Sequence, residues 1–209
     1  IINFSILIIL YIILSIFSTA IINFVNFMDG IDGLVASCMS IVFIVAAIKI
    51  DYSIFFLVAP ILGFLFWNWA PSKVFMGDTG STFIGASFSA VLLSSDKLDD
   101  CIKILIVASP LLLDSFICVI RRFVANENIF TPHSLHLYQR LYQSGWSHSK
   151  ITIYYLVSTS FLAINVLFTS WIIVLMSFCL VCFFGVFVDQ KFALSFEFSL
   201  IKSKNNILK

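Results

Sequence analysis

The chain has 209 residues, of which 61% are hydrophobic and only 11% are charged, and its formal net charge is +1. Soluble domains carry roughly 45–50% apolar and about 25% charged residues, so this apolar excess is too large for a core of this size to bury. The composition excludes a soluble globular domain, and the absence of a basic tract argues against a nucleic-acid partner. The chain is therefore predicted to be a polytopic membrane protein.

Seven apolar stretches are candidates for membrane helices, which need about 20 residues, with a range of roughly 17–25. Backbone polar groups in lipid must be satisfied within the segment, so each stretch is predicted to be helical. The expected fold is an all-α membrane bundle that forms one domain over residues 1–209. Its spans are predicted at approximately 3–24, 34–50, 53–70, 80–95, 101–122, 150–169 and 171–188.

Lysine and arginine are unequally distributed between the two sets of loops that seven spans create. One set holds Lys73, Arg121, Arg122, Arg140, Lys150, Lys191, Lys202, Lys204 and Lys209, whereas the other holds Lys49, Lys97 and Lys103. The excess of basic residues marks the cytoplasmic side, so the N-terminus is predicted outside and the C-terminus inside. The polar loops 25–33, 70–80 and 123–149 are then all expected to face the cytoplasm.

The first polar loop reads NFMDGIDGLVAS and spaces Asn26, Asp29 and Asp32 three residues apart beside a membrane boundary. As an ordinary turn, it would use Asp32 to cap the next helix. That interpretation leaves the other two polar groups unexplained. Acidic residues are costly at membrane depth, so a functional site is the favoured hypothesis.

The second polar loop reads NWAPSKVFMGDTGSTFIG, and Pro71 ends the helix before it. Asp78 lies in a turn framed by glycines, and the next helix is predicted to begin at Gly80 or Ser81. Asp78 could simply be a capping residue. Alternatively, a carboxylate beside exposed helix N–H groups can hold Mg²⁺ while those groups receive phosphate oxygens.

The third polar loop contains all three histidines, His133, His136 and His148. Because His133, His136 and Arg140 follow helical spacing, we expect them on one face of a helical segment. Imidazole and guanidinium groups together suit a polyanion, since the arginine fork matches phosphate oxygens. Contact with anionic lipid headgroups is the alternative, and zinc is disfavoured because no cysteine is near in the sequence.

Two other features are expected to be structural. Cys179 and Cys182 form a CxxC pattern within an apolar run and are interpreted as thiols of the core or the lipid-facing surface. Asp114, the one acidic residue well inside a predicted span, is expected to bond to a serine or threonine of another helix.

The polar face as a whole offers carboxylates for a metal and cations for phosphates, which suits phosphoryl transfer from a soluble nucleotide to a membrane-held acceptor. The stretches NFMDGIDGLVAS, WNWAPSKVFMGDTGS, PLLLDSF, RR and PHSLHLYQRL follow one another in an order that resembles the polyprenyl-phosphate N-acetylhexosamine-1-phosphate transferases, over residues 23–150. That resemblance implies Mg²⁺-dependent transfer, with Mn²⁺ as the alternative metal. A sugar-1-phosphate would pass from a UDP-N-acetylhexosamine-type sugar to undecaprenyl phosphate, releasing UMP and initiating cell-surface polysaccharide synthesis.

The resemblance also implies residue roles. Asp78 would ligate the metal and, with Asp29 and Asp32, form the catalytic group. The substrate-binding residues would be Asn26, Asn68, Phe75, His133, His136 and Arg140, with Phe75 stacking near the uracil. The location would be a bacterial inner membrane with the site facing the cytoplasm, and a homodimer is left open. Tyr138 and Gln139 after His136 make the third loop similar to the branch that serves O-antigen or capsule.

One family feature is missing from its expected place. The family has a paired aspartate at the cytoplasmic end of an early helix, whereas Asp99 and Asp100 are predicted in a solvated loop on the outer face. We therefore expect the pair upstream of Ile1, in a larger transferase of which this chain would be the C-terminal part. An inactive remnant, a non-catalytic membrane subunit and a transporter are the alternatives. The CDP-alcohol phosphotransferases are rejected because GLVAS lacks the arginine of their DGxxAR motif.

Overall fold

The computed structural model describes residues 4–128, 131 and 133–207, with side chains up to Lys202. All regular structure in these ranges is helical. The helices are α1 (Phe4–Phe27), α2 (Leu34–Lys49), α3 (Phe55–Asn68), α4 (Gly77–Leu93), α5 (Leu98–Val124), α6 (Leu137–Gln143), α7 (His148–Phe168), α8 (Trp171–Phe192) and α9 (Phe196–Ile207), with a 3₁₀ turn at Tyr52–Ile54 before α3. Residue 3 of the first predicted span and residues 129, 130 and 132 of the third loop lie outside the described residues.

The seven predicted spans coincide with α1 to α5, α7 and α8, which confirms an all-α membrane bundle. Four of these helices, α1, α5, α7 and α8, are long and apolar enough to cross a membrane. The other three have 16, 14 and 17 residues. At 1.5 Å per residue, they extend over about 21–26 Å, somewhat less than the hydrocarbon thickness of about 30 Å.

Several boundaries differ from the predicted ones. Helix α4 begins at Gly77, before the predicted start at Gly80 or Ser81, so Asp78 lies in its first turn. Gly77 has a φ of 64°, and this left-handed residue turns the chain into the helix. Helix α9 was not predicted, because its lysines and asparagines reduce its hydropathy well below that of a membrane span.

Helix α2 forms the centre of the bundle and packs against α3, α4, α5 and α7. Its side chains are buried on every face, from Leu34 through Ala47. Small residues along α2, among them Ala36, Ser37, Ser40 and Ala46, allow its neighbours to approach closely, as helix packing in membranes requires. Helix α1 packs along α4, and the first half of α1 is exposed.

The α1–α4 contact is closest at Gly85. A Cβ atom at this position would lie 2.8 Å from the Ile22 Cα atom, which is too close for any real contact. The backbone of α1 cannot move aside as a flexible side chain can. The spacing of these two helices therefore depends on the absence of a side chain at Gly85. The position of Asn26 relative to Asp78 depends on that spacing.

We predict that Gly85→Ala lowers the stability of the folded chain by about 1–3 kcal/mol, because α1 and α4 must separate. Gly63→Ala is the matched control, since a Cβ there meets nothing within 4 Å and alanine favours a helix. Thermal unfolding in detergent micelles, followed by circular dichroism, measures both variants. Equal stability of the two variants would contradict the close packing at Gly85.

Candidate active site

The three polar loops meet at one end of the bundle. Asn26, at the end of α1, reaches Asp78 on α4, and Asp32 in the first loop reaches Ser72 in the second. The third loop joins them through Tyr138, whose hydroxyl donates to the Phe27 carbonyl at 3.0 Å. The structure thus brings together residues that the sequence places in three separate loops.

Asp29 and Asp78 provide the two carboxylates of this site, and Asn26 lies beside them. The Asn26 side-chain amide donates to the Ser81 hydroxyl at 2.8 Å and to Asp78 Oδ1 at 3.3 Å. Burial, together with the negative charge of Asp78, raises the pKa of Asp29 from 3.8 to about 7. Two carboxyl groups that repel each other in this way form a site where added positive charge is favourable.

The donor set of this group fits a hard divalent cation. Mg²⁺ prefers oxygen ligands and is usually held by one or two carboxylates together with substrate phosphates. Asp78 is exposed in the first turn of α4 and Asp29 is half-buried beside it, so both can offer oxygen atoms. These are the residues that would hold the metal implied by the family resemblance.

Asp32 is turned toward the protein. Its carboxylate accepts the Ser72 N–H at 3.1 Å and the Ser72 hydroxyl at 2.9 Å, and it lies 3.2 Å from His148 Nδ1. Its carbonyl accepts the Thr152 hydroxyl at 2.7 Å. The catalytic role implied for Asp32 stays a prediction, whereas its position as a tie between the first loop, the second loop and α7 is a finding.

The interpretation of Asp32 as a helix cap is wrong. Helix α2 begins at Leu34 and follows Gly33, and no side chain caps it. His148, whose role was not predicted, partners Asp32 instead. No sequence pattern connects these two residues, because the first loop and the start of α7 meet only in the folded chain.

The two glycines of DGIDG have separate structural reasons. A Cβ at Gly30 would lie 2.3 Å from the Tyr138 hydroxyl oxygen, so the first loop can meet α6 only without a side chain there. Gly33 has a φ of 74°, a left-handed conformation that costs an L-residue with a side chain roughly 1–2 kcal/mol. Together they let the first loop turn sharply between α1 and α2.

Asn68 and Phe75 differ in how accessible they are to a ligand. Asn68 is buried, accepting the Gly33 N–H at 3.0 Å and donating to the Val74 carbonyl at 2.9 Å. Its amide therefore joins the first two loops. The Phe75 ring is 77% exposed, so it is free to stack on a planar group.

His133 and His136 are not on a helix, contrary to the prediction. Residues 133–135 are irregular and α6 begins at Leu137, so the two rings come together by stacking at a centroid distance of 5.1 Å. Burial, followed by the charge of Arg122, lowers the pKa of His133 to about 4. Burial also lowers the pKa of His136, with Asp114 opposing the shift. Both rings are therefore neutral at neutral pH and can offer a phosphate only N–H donors.

A cysteine does lie beside these histidines, although none is near in the sequence. Ligand atoms of Cys118, His133 and His136 all lie within 4.8 Å of one another. The third loop folds back over the end of α5, which carries Cys118, so sequence distance was a poor guide.

Asp114 on α5 holds the first turn of α6, which is part of the third loop. Its carboxylate accepts the N–H groups of Leu137 at 2.7 Å and Tyr138 at 3.2 Å, and the Tyr155 hydroxyl at 2.7 Å. The predicted serine or threonine partner is wrong. The first turn of α6 has free N–H groups, and this buried carboxylate satisfies two of them.

Arg140 is also internal, with 3% of its surface exposed. Its guanidinium pairs with Asp189 at 2.5 Å and donates to the carbonyls of Leu135 at 3.1 Å and Leu194 at 2.8 Å. The predicted role of Arg140 in substrate binding remains untested. In the structure, Arg140 fastens α6 to the end of α8.

Asp99 and Asp100 lie in the first turn of α5, at the end opposite to the third loop. The prediction that they lie in a solvated loop is therefore wrong. Asp99 pairs with Lys103 at 2.6 Å and accepts the Trp171 indole N–H at 2.6 Å, whereas Asp100 is only 8% exposed. Their distance from the site agrees with the prediction that they are not its aspartate pair.

We predict that Asp78→Asn lowers the pKa of Asp29 below about 7 while leaving it above 3.8, because repulsion is lost and burial, the larger cause, remains. The carboxyl band in infrared spectra recorded across pH measures this, with Asp29→Asn identifying the band. Asp99→Asn is the control that leaves the midpoint unchanged. An unshifted midpoint in Asp78→Asn would show that the two carboxylates do not interact.

A second prediction concerns acid stability. Partial burial raises the pKa of Asp32, but the hydrogen bonds from Ser72 and the charge of His148 outweigh it, so the pKa lies below 3.8. This stabilisation is present above about pH 4 and is lost as the pH falls through the folded pKa. Because the Asp32 side chain is still 15% exposed and its pair with His148 is partly screened by solvent, Asp32→Asn should cost only about 1 kcal/mol at neutral pH.

Asp32→Asn should therefore lose less stability than the unmodified chain between about pH 5 and pH 3. Thermal unfolding over this range measures the difference. Parallel curves for the two proteins would exclude a stabilising pair at Asp32.

Comparisons with known proteins agree with the motifs. Residues 1–96 match the family model described as glycosyl transferase family 4. A Bacillus subtilis (strain 168) protein named "Probable undecaprenyl-phosphate N-acetylglucosaminyl 1-phosphate transferase" is 33% identical over 141 residues, which cover 63% of this chain and 39% of the relative. A Mycobacterium leprae (strain TN) decaprenyl-phosphate N-acetylglucosaminephosphotransferase is 33% identical over 107 residues, or 44% of this chain and 27% of the relative.

A third relative is the phospho-N-acetylmuramoyl-pentapeptide-transferase of Leptospira biflexa serovar Patoc (strain Patoc 1 / Ames). It is 36% identical over 124 residues, which cover 57% of this chain and 32% of the relative. The matched part of the chain thus spans between about a quarter and two fifths of these relatives' lengths. The predicted resemblance to the polyprenyl-phosphate N-acetylhexosamine-1-phosphate transferases is confirmed by the family match over residues 1–96 and by these relatives.

Proposed function

We propose that this end of the bundle binds Mg²⁺ and a UDP-N-acetylhexosamine-type sugar for transfer of the sugar-1-phosphate to undecaprenyl phosphate, with release of UMP. The observation that carries the proposal is the convergence of the three polar loops, which joins Asn26 to Asp78 and Ser81 beside Asp29. The names of the relatives, all transferases that act with N-acetylhexosamine-type sugars, support the same chemistry.

Each residue of the site has a role in this proposal. Asp78 and Asp29 hold the cation, which when bound neutralises charge on the phosphates. Asn26 orients the Asp78 carboxylate through its 3.3 Å hydrogen bond. The exposed Phe75 ring stacks on the uracil, and the neutral imidazoles of His133 and His136 donate N–H groups to phosphate or sugar oxygens.

The acceptor is held by the bilayer, and the site lies where α1 and α4 reach the membrane boundary. The excess of lysine and arginine in the loops on this side supports the proposal that this boundary is the cytoplasmic face of a bacterial inner membrane. A water-soluble nucleotide sugar can then reach the carboxylates from one side while a polyprenyl phosphate approaches within the membrane. We propose a place at the start of cell-surface polysaccharide synthesis, of O-antigen, lipopolysaccharide or the cell wall.

A transporter is the less favoured function. A transport path needs polar side chains along the bilayer, and among the described spans the carboxylate deepest in α5, Asp114, is fully engaged with the third loop and Tyr155. Asp114 is therefore a structural group in this bundle.

We predict that the chain, purified in detergent micelles, binds UDP-N-acetylglucosamine more tightly in the presence of Mg²⁺. Asp78→Asn should reduce this Mg²⁺ dependence by about tenfold or more, because a metal ligand is lost. Isothermal titration calorimetry measures the affinity with and without the metal. Asp99→Asn is the matched control and should behave like the unmodified chain, since Asp99 lies at the other end of α5.

Turnover is then measured as UMP release from membranes that contain the chain, undecaprenyl phosphate, Mg²⁺ and a panel of UDP-sugars. Failure of every UDP-sugar to bind in the calorimeter would overturn the proposal. Loss of binding in Asp99→Asn, with Asp78→Asn unaffected, would assign the site to the opposite end of the bundle.

A further inference from the structure

A second group of potential ligands differs in chemistry from the carboxylates. It consists of the Cys118 thiol on α5 and the imidazoles of His133 and His136 in the third loop, here called the Cys–His cluster. One ligand atom from each residue lies within 4.8 Å of the others. Cys118 is 3% exposed and His136 is 2% exposed, so the cluster is formed largely inside the protein.

The spacing is close to that of a tetrahedral metal site. Bonds of about 2.3 Å to sulfur and about 2.0–2.1 Å to nitrogen hold the ligand atoms of a zinc ion roughly 3.5 Å apart. Closing the Cys–His cluster to that size takes a movement of about 1 Å. The third loop can supply it, because His133 and His136 lie in irregular chain before α6.

His136 provides an independent observation. Its Nδ1 atom is buried and forms no hydrogen bond within the described residues. Buried polar atoms almost always have a partner, so a nitrogen of this kind indicates a missing one. Asp114 Oδ1 lies 3.9 Å from this same atom, which is too far for a hydrogen bond, so its negative charge favours a cation there without supplying the missing partner.

His133 is only weakly engaged elsewhere. Its Nδ1 atom receives the Leu135 N–H at the long distance of 3.4 Å, and its ring otherwise stacks on His136. A modest rotation of the ring therefore suffices to direct a nitrogen toward Cys118.

Some of the surrounding charges oppose a bound cation, and others favour it. Arg122 is near enough to act on both histidines and opposes a cation, although its guanidinium donates to the Thr131 hydroxyl at 2.9 Å. Binding releases the Cys118 proton to solvent and leaves a thiolate, which adds one negative charge beside the Asp114 carboxylate. These two negative groups offset the divalent ion.

We propose that Cys118, His133 and His136 bind a soft divalent cation of the zinc type, with the fourth coordination position open. This site goes beyond the proposed transfer chemistry, because sulfur and nitrogen ligands select zinc-type ions and the oxygen ligands of Asp29 and Asp78 select magnesium. Bound metal fastens the third loop to α5. If the histidines also serve the sugar nucleotide, occupancy of the cluster competes with donor binding.

The test uses the whole chain, purified in detergent, freed of metal with a chelator and titrated with Co²⁺ without oxygen. One equivalent should bind and produce the near-ultraviolet absorption of a cobalt–thiolate bond, and Zn²⁺ should remove it. Cys118→Ser should abolish this absorption and weaken Co²⁺ binding by about 100-fold. Cys182→Ser is the matched control and should keep both, although Cys182 belongs to the CxxC pattern with Cys179.

A measurement on the unmodified chain guards against a variant that fails to fold. X-ray absorption at the zinc edge should show one sulfur and two imidazole neighbours. Two sulfur neighbours would assign the ion to Cys179 and Cys182 and overturn the proposal. Absence of any cobalt–thiolate absorption, or its persistence in Cys118→Ser, would overturn it as well. UDP-sugar binding is measured in a separate calorimetric experiment with Mg²⁺ and without Co²⁺ or Zn²⁺, so the two proposals fail separately.

Discussion

The site depends on the Asp32 carboxylate, which holds three distant parts of the chain together. It accepts two hydrogen bonds from Ser72 and pairs with His148, while the Asp32 carbonyl accepts the Thr152 hydroxyl. Hydrogen bonds to a carboxylate are directional, so they set position as well as stability. Without them, Asn68 would still join the first two loops, but the start of α7 would be connected to them mainly by the apolar packing of α2, which is less specific in direction.

The third loop is held by a second polar arrangement, deeper in the bundle. Asp114 satisfies the start of α6, and Arg140 ties α6 to Asp189 at the end of α8. Charged groups are costly in an apolar interior unless they are paired and hydrogen-bonded, and both of these groups are. The polar residues of the third loop therefore divide into a structural set, to which His148 also belongs through its pair with Asp32, and His133 and His136, for which we propose ligands.

The two ligand groups at this end of the bundle are chemically distinct. Asp29 and Asp78 offer oxygen atoms at the mouth of the site, where α4 begins, whereas Cys118, His133 and His136 offer sulfur and nitrogen against α5. Gly30 lets the loop that carries Asp29 approach Tyr138 of α6, so the first and third loops are in direct contact. A movement of Tyr138 would therefore displace the loop that carries Asp29, because Tyr138 contacts both Gly30 and Phe27.

The sequence by itself determined the membrane class, the seven apolar helices and the set of loops that carry Asn26, Asp29 and Asp78, because hydropathy and chain polarity are local properties. It could not assign the partners of Asp32, Asp114 and Arg140, nor the proximity of Cys118 to two histidines. Those depend on how the loops fold back onto α5 and α7, which no spacing along the chain encodes. Only the tertiary structure decided which charged groups hold the loops and which remain for ligands, since pairing in an apolar interior is settled by distance in space.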